Sequence, residues 1–226
     1  MMQKNRKLII VGDSAFAEIA YEYFTHDSDY EIVAFSVEKD YLKRETLFGL
    51  PVVPFETLED AFPPSEHSVY AAMVYTQLNR LRTRLSLQAK EKGYRLASYI
   101  SPRAFVWRNV EIGEHCFIFE DNTLQPFVKI GDNVVLWSGN HIGHHSTIRA
   151  NCFVSSHVVI SGFVDVGENC FLGVNSTIVN NVSIGTDCWL GPNVTIVQDA
   201  PEATFFKAGR SEVSSLSTLQ RFKIAL

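Results

Sequence analysis

LWSGNH-IGHHST-IRANCF-VSSHVV-ISGFVD-VGENCF, residues 136–171, divides into six blocks of six, each opening on Leu, Ile or Val. The frame extends both ways: stepping by six from Ile100 to Ile196 meets seventeen positions, all Ile, Leu or Val, without an insertion. Were such residues about a quarter of the chain, chance would give this on the order of once in 10¹⁰ frames. Four residues after each aliphatic stands a small or slender side chain, as in Asn122, Asn140, Ser146, Val158 and Ser176. All four cysteines, Cys116, Cys152, Cys170 and Cys188, fall in that slot, so their separations of 36, 18 and 18 are multiples of one number. No C-x-x-C occurs, and the cysteines read as small buried hydrophobes, not zinc ligands.

One large and one small inward residue in six suits a short flat strand that then turns a corner. Three such strands close an 18-residue triangular coil. Coils stacked at about 4.8 Å build a prism roughly 25 Å tall, with Gly and Asn where the corners need positive φ. Uninterrupted hexads of the form [ILV]-G-x-x-[small]-x, seen at Gly113, Gly131, Gly143, Gly167, Gly173, Gly185 and Gly191, resemble the left-handed parallel β-helix of the hexapeptide-repeat transferases. The resemblance covers residues 100 to about 199. It implies a homotrimer with acyl-CoA lying between neighbouring prisms.

The chain before the repeat alternates strand and helix signals. KLIIVG (7–12), EIVAFSV (31–37) and SVYAAMV (68–74) read as strands; SAFAEIAYEYF (14–24) and LNRLRTRLSLQAKEKG (78–93) read as helices. The pattern predicts a small parallel sheet of Rossmann type over 1–97, a β-helix over 98–200, and a C-terminal tail over 201–226 with a short helix near its end. The turn Gly12-Asp13-Ser14-Ala15-Phe16-Ala17 keeps only the first glycine of G-x-G-x-x-G, which argues against NAD or FAD; Asp13 reads as a helix cap.

This order of parts resembles the sialic-acid O-acetyltransferases and the N-acetyltransferases of nucleotide-linked 4-amino-4,6-dideoxy sugars. The resemblance implies that Gly12, Ser14 and Glu38 meet a sugar nucleotide; the alternative is a module that supports folding and trimer assembly. The family's segment V-I-E-H-[DE]-[CA]-x-I, laid on Ile142-Gly143-His144-His145-Ser146-Thr147-Ile148, puts its general base on His144 and leaves His145 where an acidic residue follows. A base is needed because an amine or hydroxyl attacking a thioester must lose a proton, and histidine's ordinary pKa near 6.5 suits that near neutral pH. His141, in the same cluster, and His157 are candidates to face the substrate, though His157 reads somewhat better as a corner residue without a role. Trp137 either lines the acceptor pocket or plugs the trimer interface. The resemblance implies that backbone at Gly173 and Gly191 lines the CoA channel; Lys207 and Arg210 either meet the CoA phosphates or belong to a solvated tail.

Three close histidines also raise zinc, as in the γ-type carbonic anhydrases, which share the prism. Those need a histidine five residues on and another one coil back; Arg149 and Pro126 stand there instead, so no metal is expected. His26, His67 and His115 read as surface residues. A net charge of −5 without a Lys/Arg-rich run argues against nucleic acid and anionic membranes. No stretch has the length of a signal peptide's apolar region or a membrane span, so the expected location is cytoplasmic. The resulting expectation is an acetyl-CoA-dependent N-acetyltransferase of a nucleotide-linked amino sugar, with sugar O-acetylation, a zinc lyase and a non-catalytic trimeric module as alternatives.

Overall fold

A computed structural model describes residues 3–224. The N-terminal unit contains β1 (Arg6–Val11), α1 (Ala15–Asp27), β2 (Tyr30–Val37), β3 (Thr46–Leu47), β4 (Leu50–Pro54), α2 (Leu58–Ala61), β5 (His67–Ala71), α3 (Arg80–Glu91) and β6 (Arg95–Leu96). Its sheet runs β3-β4-β2-β1-β5-β6, parallel except for the β3–β4 pair. Ser14, not Asp13, is the N-cap of α1, and it makes no side-chain cap bond. Asp13 pairs with Arg44 at 3.4 Å instead.

From Tyr99 the chain winds into a three-sided parallel β-helix of two-residue strands, which through Ile196 pair in register with strands eighteen residues away along the chain. Three stacks result. A docked face begins with Tyr99–Ile100 and has seven strands; a histidine face begins with Phe105–Val106 and has six; a charged face begins with Glu111–Ile112 and has five. The second residue of each strand points inward with the small slot, so Ile118, Leu136, Ile148, Cys152, Val158, Cys170 and Cys188 share one core. Ile100, first in the frame, is 42% exposed because no coil lies beneath it. The solenoid also extends beyond the expected boundary at 200, since Phe205–Phe206 adds a strand to the docked face. A helix α4 (Thr218–Arg221) with a Ser217/Gln220 capping box follows.

The corners follow from one backbone requirement. Every sixth residue from His115 to Asn193 has φ between 56° and 77°, and nearly all are Asn, Asp, Gly or His, the types that enter the left-handed region most cheaply.

The first residue of each strand points outward, and its identity sorts the faces. On the charged face it is Glu111, Lys129, Thr147, Asp165 and Ser183. On the docked face it is Tyr99, Phe117, Val135, Phe153, Phe171 and Trp189, which pack with Phe16, Phe24 and Tyr70 of the N-terminal unit in a second core. Tyr75 packs against Phe153, Phe171 and Trp189, ring centroids 4.6–5.6 Å away.

A buried polar tie completes this contact. Arg82 of α3 is fully buried. It donates to Asn133 Oδ1 (3.0 Å), Asn79 Oδ1 (3.2 Å) and the carbonyls of Met73, Val74, Asn133, Asn151 and Cys152 (3.1–3.3 Å). Burial lowers its pKa to about 10, so it stays charged at neutral pH. His115 is not a surface residue: it is 1% exposed, its Nε2 accepts the Ala71 amide (2.8 Å), and its Nδ1 meets Asn133 Oδ1 (2.8 Å). His67 is also buried, its Nδ1 meeting the Pro63 carbonyl at 2.9 Å. Corner position alone does not expose a side chain when that corner abuts the other unit.

Candidate functional site

The three clustered histidines separate onto two neighbouring features. His141 points outward from the histidine face, between Thr123 below and Val159 above. His144 and His145 sit on the corner leading from that face to the charged face, and both are exposed. Their Nδ1 atoms lie 3.2 Å apart, so one nitrogen donates to the other. The His144 amide donates to Gln125 Oε1 at 2.9 Å. Its imidazole lies over Gly162, where a Cβ would come within 2.7 Å of Cε1 and 2.9 Å of Nε2; any larger residue at 162 would push the ring away. Gln125 and Gly162 were missed in the sequence. Each is one coil from the histidine pair, which is the signal that could have found them.

His157 stands on another corner, between the docked and histidine faces, over Gly139, where a Cβ would meet its ring at 2.6 Å. Trp137 is partly buried against the N-terminal unit. It is stacked on Phe119 (4.6 Å, 10°) and packs on Phe16 of α1 (5.9 Å), within the contact between the two units. Asn140 and Asn122 are buried as their slots require; Asn140 Oδ1 accepts the Val158 amide and its Nδ2 donates to the Trp137 carbonyl. Asn140 is 1% exposed at its inward slot, so its amide does not reach an oxyanion outside the prism.

Gly173 and Gly191 stack on one another, a Cβ on the former coming 2.7 Å from Gly191 carbonyl carbon. Their amides donate to Leu190 and Phe206 carbonyls within the ladder, so what they offer a ligand is room, not hydrogen bonds. Lys207 and Arg210 are exposed on the strand end and the segment that crosses above them.

Gly12, Ser14 and Glu38 do come together, in a pocket of about 300 Å³ at the carboxyl ends of β1 and β2, further lined by Asp13, Tyr41, Thr76, Gln77 and Arg84. Gly12 has φ +123°, and a Cβ there would meet Met73 Cε at 2.7 Å; only glycine keeps this turn. Arg84 was not foreseen. It grips Glu38 with two bonds of 2.7 and 2.9 Å, and that pairing holds the Glu38 carboxyl below its ordinary pKa. Among the described residues no three His, Cys, Asp or Glu side chains gather where a metal ion could be held.

Residues 127–162 match the family model of the bacterial transferase hexapeptide (six repeats), and residues 164–198 that of the hexapeptide repeat of succinyl-transferase. No curated protein matches by sequence. The structure is similar to the acetyltransferase domain of PglB from Neisseria gonorrhoeae FA1090, with a TM-score of 0.79 and 22% identity over 89% of this chain and 96% of that one. It is also similar to PerB from Caulobacter crescentus, solved with CoA and GDP-perosamine, with a TM-score of 0.76 and 25% identity over 88% of this chain and 92% of that one. A mutant of perosamine N-acetyltransferase from the same organism gives the same values. With hexapeptide repeats matched over residues 127–162 and 164–198, the chain is an acyltransferase similar in fold and order of parts to perosamine N-acetyltransferase and to the acetyltransferase domain of PglB.

Proposed function

We propose that the protein transfers the acetyl group of acetyl-CoA to the amine of a nucleotide-linked amino sugar, of the 4-amino-4,6-dideoxy kind. The observation that carries the reading is His144: an outward imidazole at the base position, paired through Nδ1 with His145 and seated over Gly162, with its backbone amide held by Gln125. In the reaction the neutral amine attacks the thioester carbonyl and the new C–N bond forms. His144 Nε2 takes the amine proton, the C–S bond breaks, and the imidazolium returns the proton to the departing CoA thiolate. The donor is already activated, so no acyl-enzyme is needed, and the four cysteines lie in the core, away from this chemistry.

The N-terminal pocket supports the acceptor half of the reading. Gly12 and Ser14 would border the diphosphate at the start of α1, with Glu38 toward the ribose or base. Lys207 and Arg210 would pair with CoA phosphates, and His141, on the histidine face, and His157, on its corner with the docked face, would border the acceptor. Assembly as a homotrimer is supported by the apolar surface on and beside the histidine face, where Phe105, Trp107, Val159 and Val197 are 53, 42, 41 and 67% exposed. The site of action would be the cytoplasm, where acetyl-CoA is made; among the described residues no helix is long and apolar enough to cross a membrane.

His144→Ala should lower kcat by roughly 10²–10⁴ with the fold intact. Near-normal turnover of the variant with acetyl-CoA and an amino-sugar nucleotide would remove His144 from the chemistry.

A further inference from the structure

The corner that carries the histidine pair departs from all the others. At its left-handed position the successive coils place Phe127 (φ 66°), His145 (φ 60°) and Phe163 (φ 60°), where every other corner from 115 to 193 has Asn, Asp, Gly or His. A bulky side chain pays about 1–2 kcal/mol to enter that region. Burial within the chain does not offset it, since both phenylalanines are 53% exposed there. What the two rings do is grip His145. Phe127 stacks on the imidazole from below (4.5 Å, 26°) and Phe163 from above (4.8 Å, 17°). Phe163 also meets His144 edge-on at 5.1 Å and 87°. The sandwiched His145 stands nearly perpendicular to His144, with the two Nδ1 atoms in contact. No carboxylate bonds either imidazole among the described residues.

We infer that Phe127 and Phe163 are positioning residues for the transfer: they hold His145 as a neutral acceptor for the Nδ1–H of His144, which leaves the lone pair of His144 on Nε2. The direction of that hydrogen bond rests on the reading of His144 as the base, because the opposite direction would occupy the Nδ1 lone pair and turn an N–H outward. The work that a carboxylate does by charge, at either of two equivalent oxygens, is here done by a second imidazole, which accepts at one nitrogen only and so needs its ring orientation clamped.

The test uses the whole protein with 15N-labelled histidine. Long-range 1H–15N spectra, which report which ring nitrogen carries the proton, should show His144 as the Nδ1–H tautomer. In Phe127→Asn/Phe163→Asn, which installs the residue this solenoid uses at its other corners, His144 should revert toward the Nε2–H form of free imidazole. Thermal stability should hold or rise, because Asn relieves the backbone strain. Turnover of acetyl-CoA with GDP-perosamine as the probe acceptor should lose about tenfold in kcat with KM little changed, the size of a lost orienting partner. Phe127→Tyr/Phe163→Tyr keeps both stacking faces and should restore the tautomer. An Nε2–H tautomer in the unaltered protein, or an unchanged tautomer in the Asn variant, overturns the inference. Full activity of His144→Ala beside a clamp-dependent tautomer would instead overturn the base and leave the clamp standing.

Discussion

Replacing Arg82 by Met is the sharpest probe of how the two units are joined. The guanidinium donates to seven acceptors on both sides of the contact, five of them main-chain carbonyls, and has no carboxylate partner. Methionine fills similar space and removes the cost of burying a charge, which works in its favour. Against that, the carbonyls of Met73, Val74, Asn133 and Asn151 receive no other described bond and would be left dry. At about 1–3 kcal/mol for each stranded group, less the recovered desolvation, the net loss should be about 3–5 kcal/mol. For a chain of this size that lowers Tm by roughly 6–20 °C. Urea denaturation followed by far-ultraviolet circular dichroism would measure it, with Arg82→Lys, whose three donors reach fewer acceptors, falling between. An R82M protein as stable as the original would mean that the guanidinium's desolvation cost cancels its bonds, and the tie would be a device for register alone.

His115 predicts an acid limb in the stability curve. Burial depresses its pKa from 6.5 to about 3, so the unfolded chain takes up a proton that the folded chain refuses. Stability is whole above about pH 6.5 and declines toward pH 3, by at most about 5 kcal/mol from this group; His115→Asn should flatten that limb in pH-dependent denaturation. Phe171→Ala should cost about 3–5 kcal/mol and, because Phe171 belongs to the contact between units and not to the prism core, proteolysis should reach the N-terminal unit before the solenoid. The four cysteines are buried, and burial raises the Cys116 thiol to about 12; an aromatic disulfide reagent should label none of them until denaturant is added.

The prism was legible because its rule is local: one aliphatic in six, one small residue four later, and a left-handed corner between. His144 was legible for the same reason, since its place in the hexad fixes it on a corner. His115 was misread because a hexad is blind to what lies outside the coil, and the packing of Trp137 on Phe119 and Phe16 was hidden for the same reason. His115 occupies the same hexad place as His145, yet one is covered by β5 and the other faces outward. The missing information was in the outward places taken eighteen at a time, where Tyr99, Phe117, Val135, Phe153, Phe171 and Trp189 mark the covered side against Glu111, Lys129, Thr147, Asp165 and Ser183 on the charged one. Arg82 gave no such sign: within RLRTRLSLQAKE it looks like any solvated cation of an amphipathic helix.

Three-fold winding also limits how this chain can change length. An indel of six or twelve residues within the solenoid would preserve the inward aliphatic pattern and every corner, and so would pass a test of folding. It would nonetheless screw all later coils round by a third or two-thirds of a turn, delivering glutamates and lysines to the aromatic dock or carrying the imidazole pair to the wrong edge. Only whole turns of eighteen are silent, so lengths in this architecture should drift by coils and not by hexads.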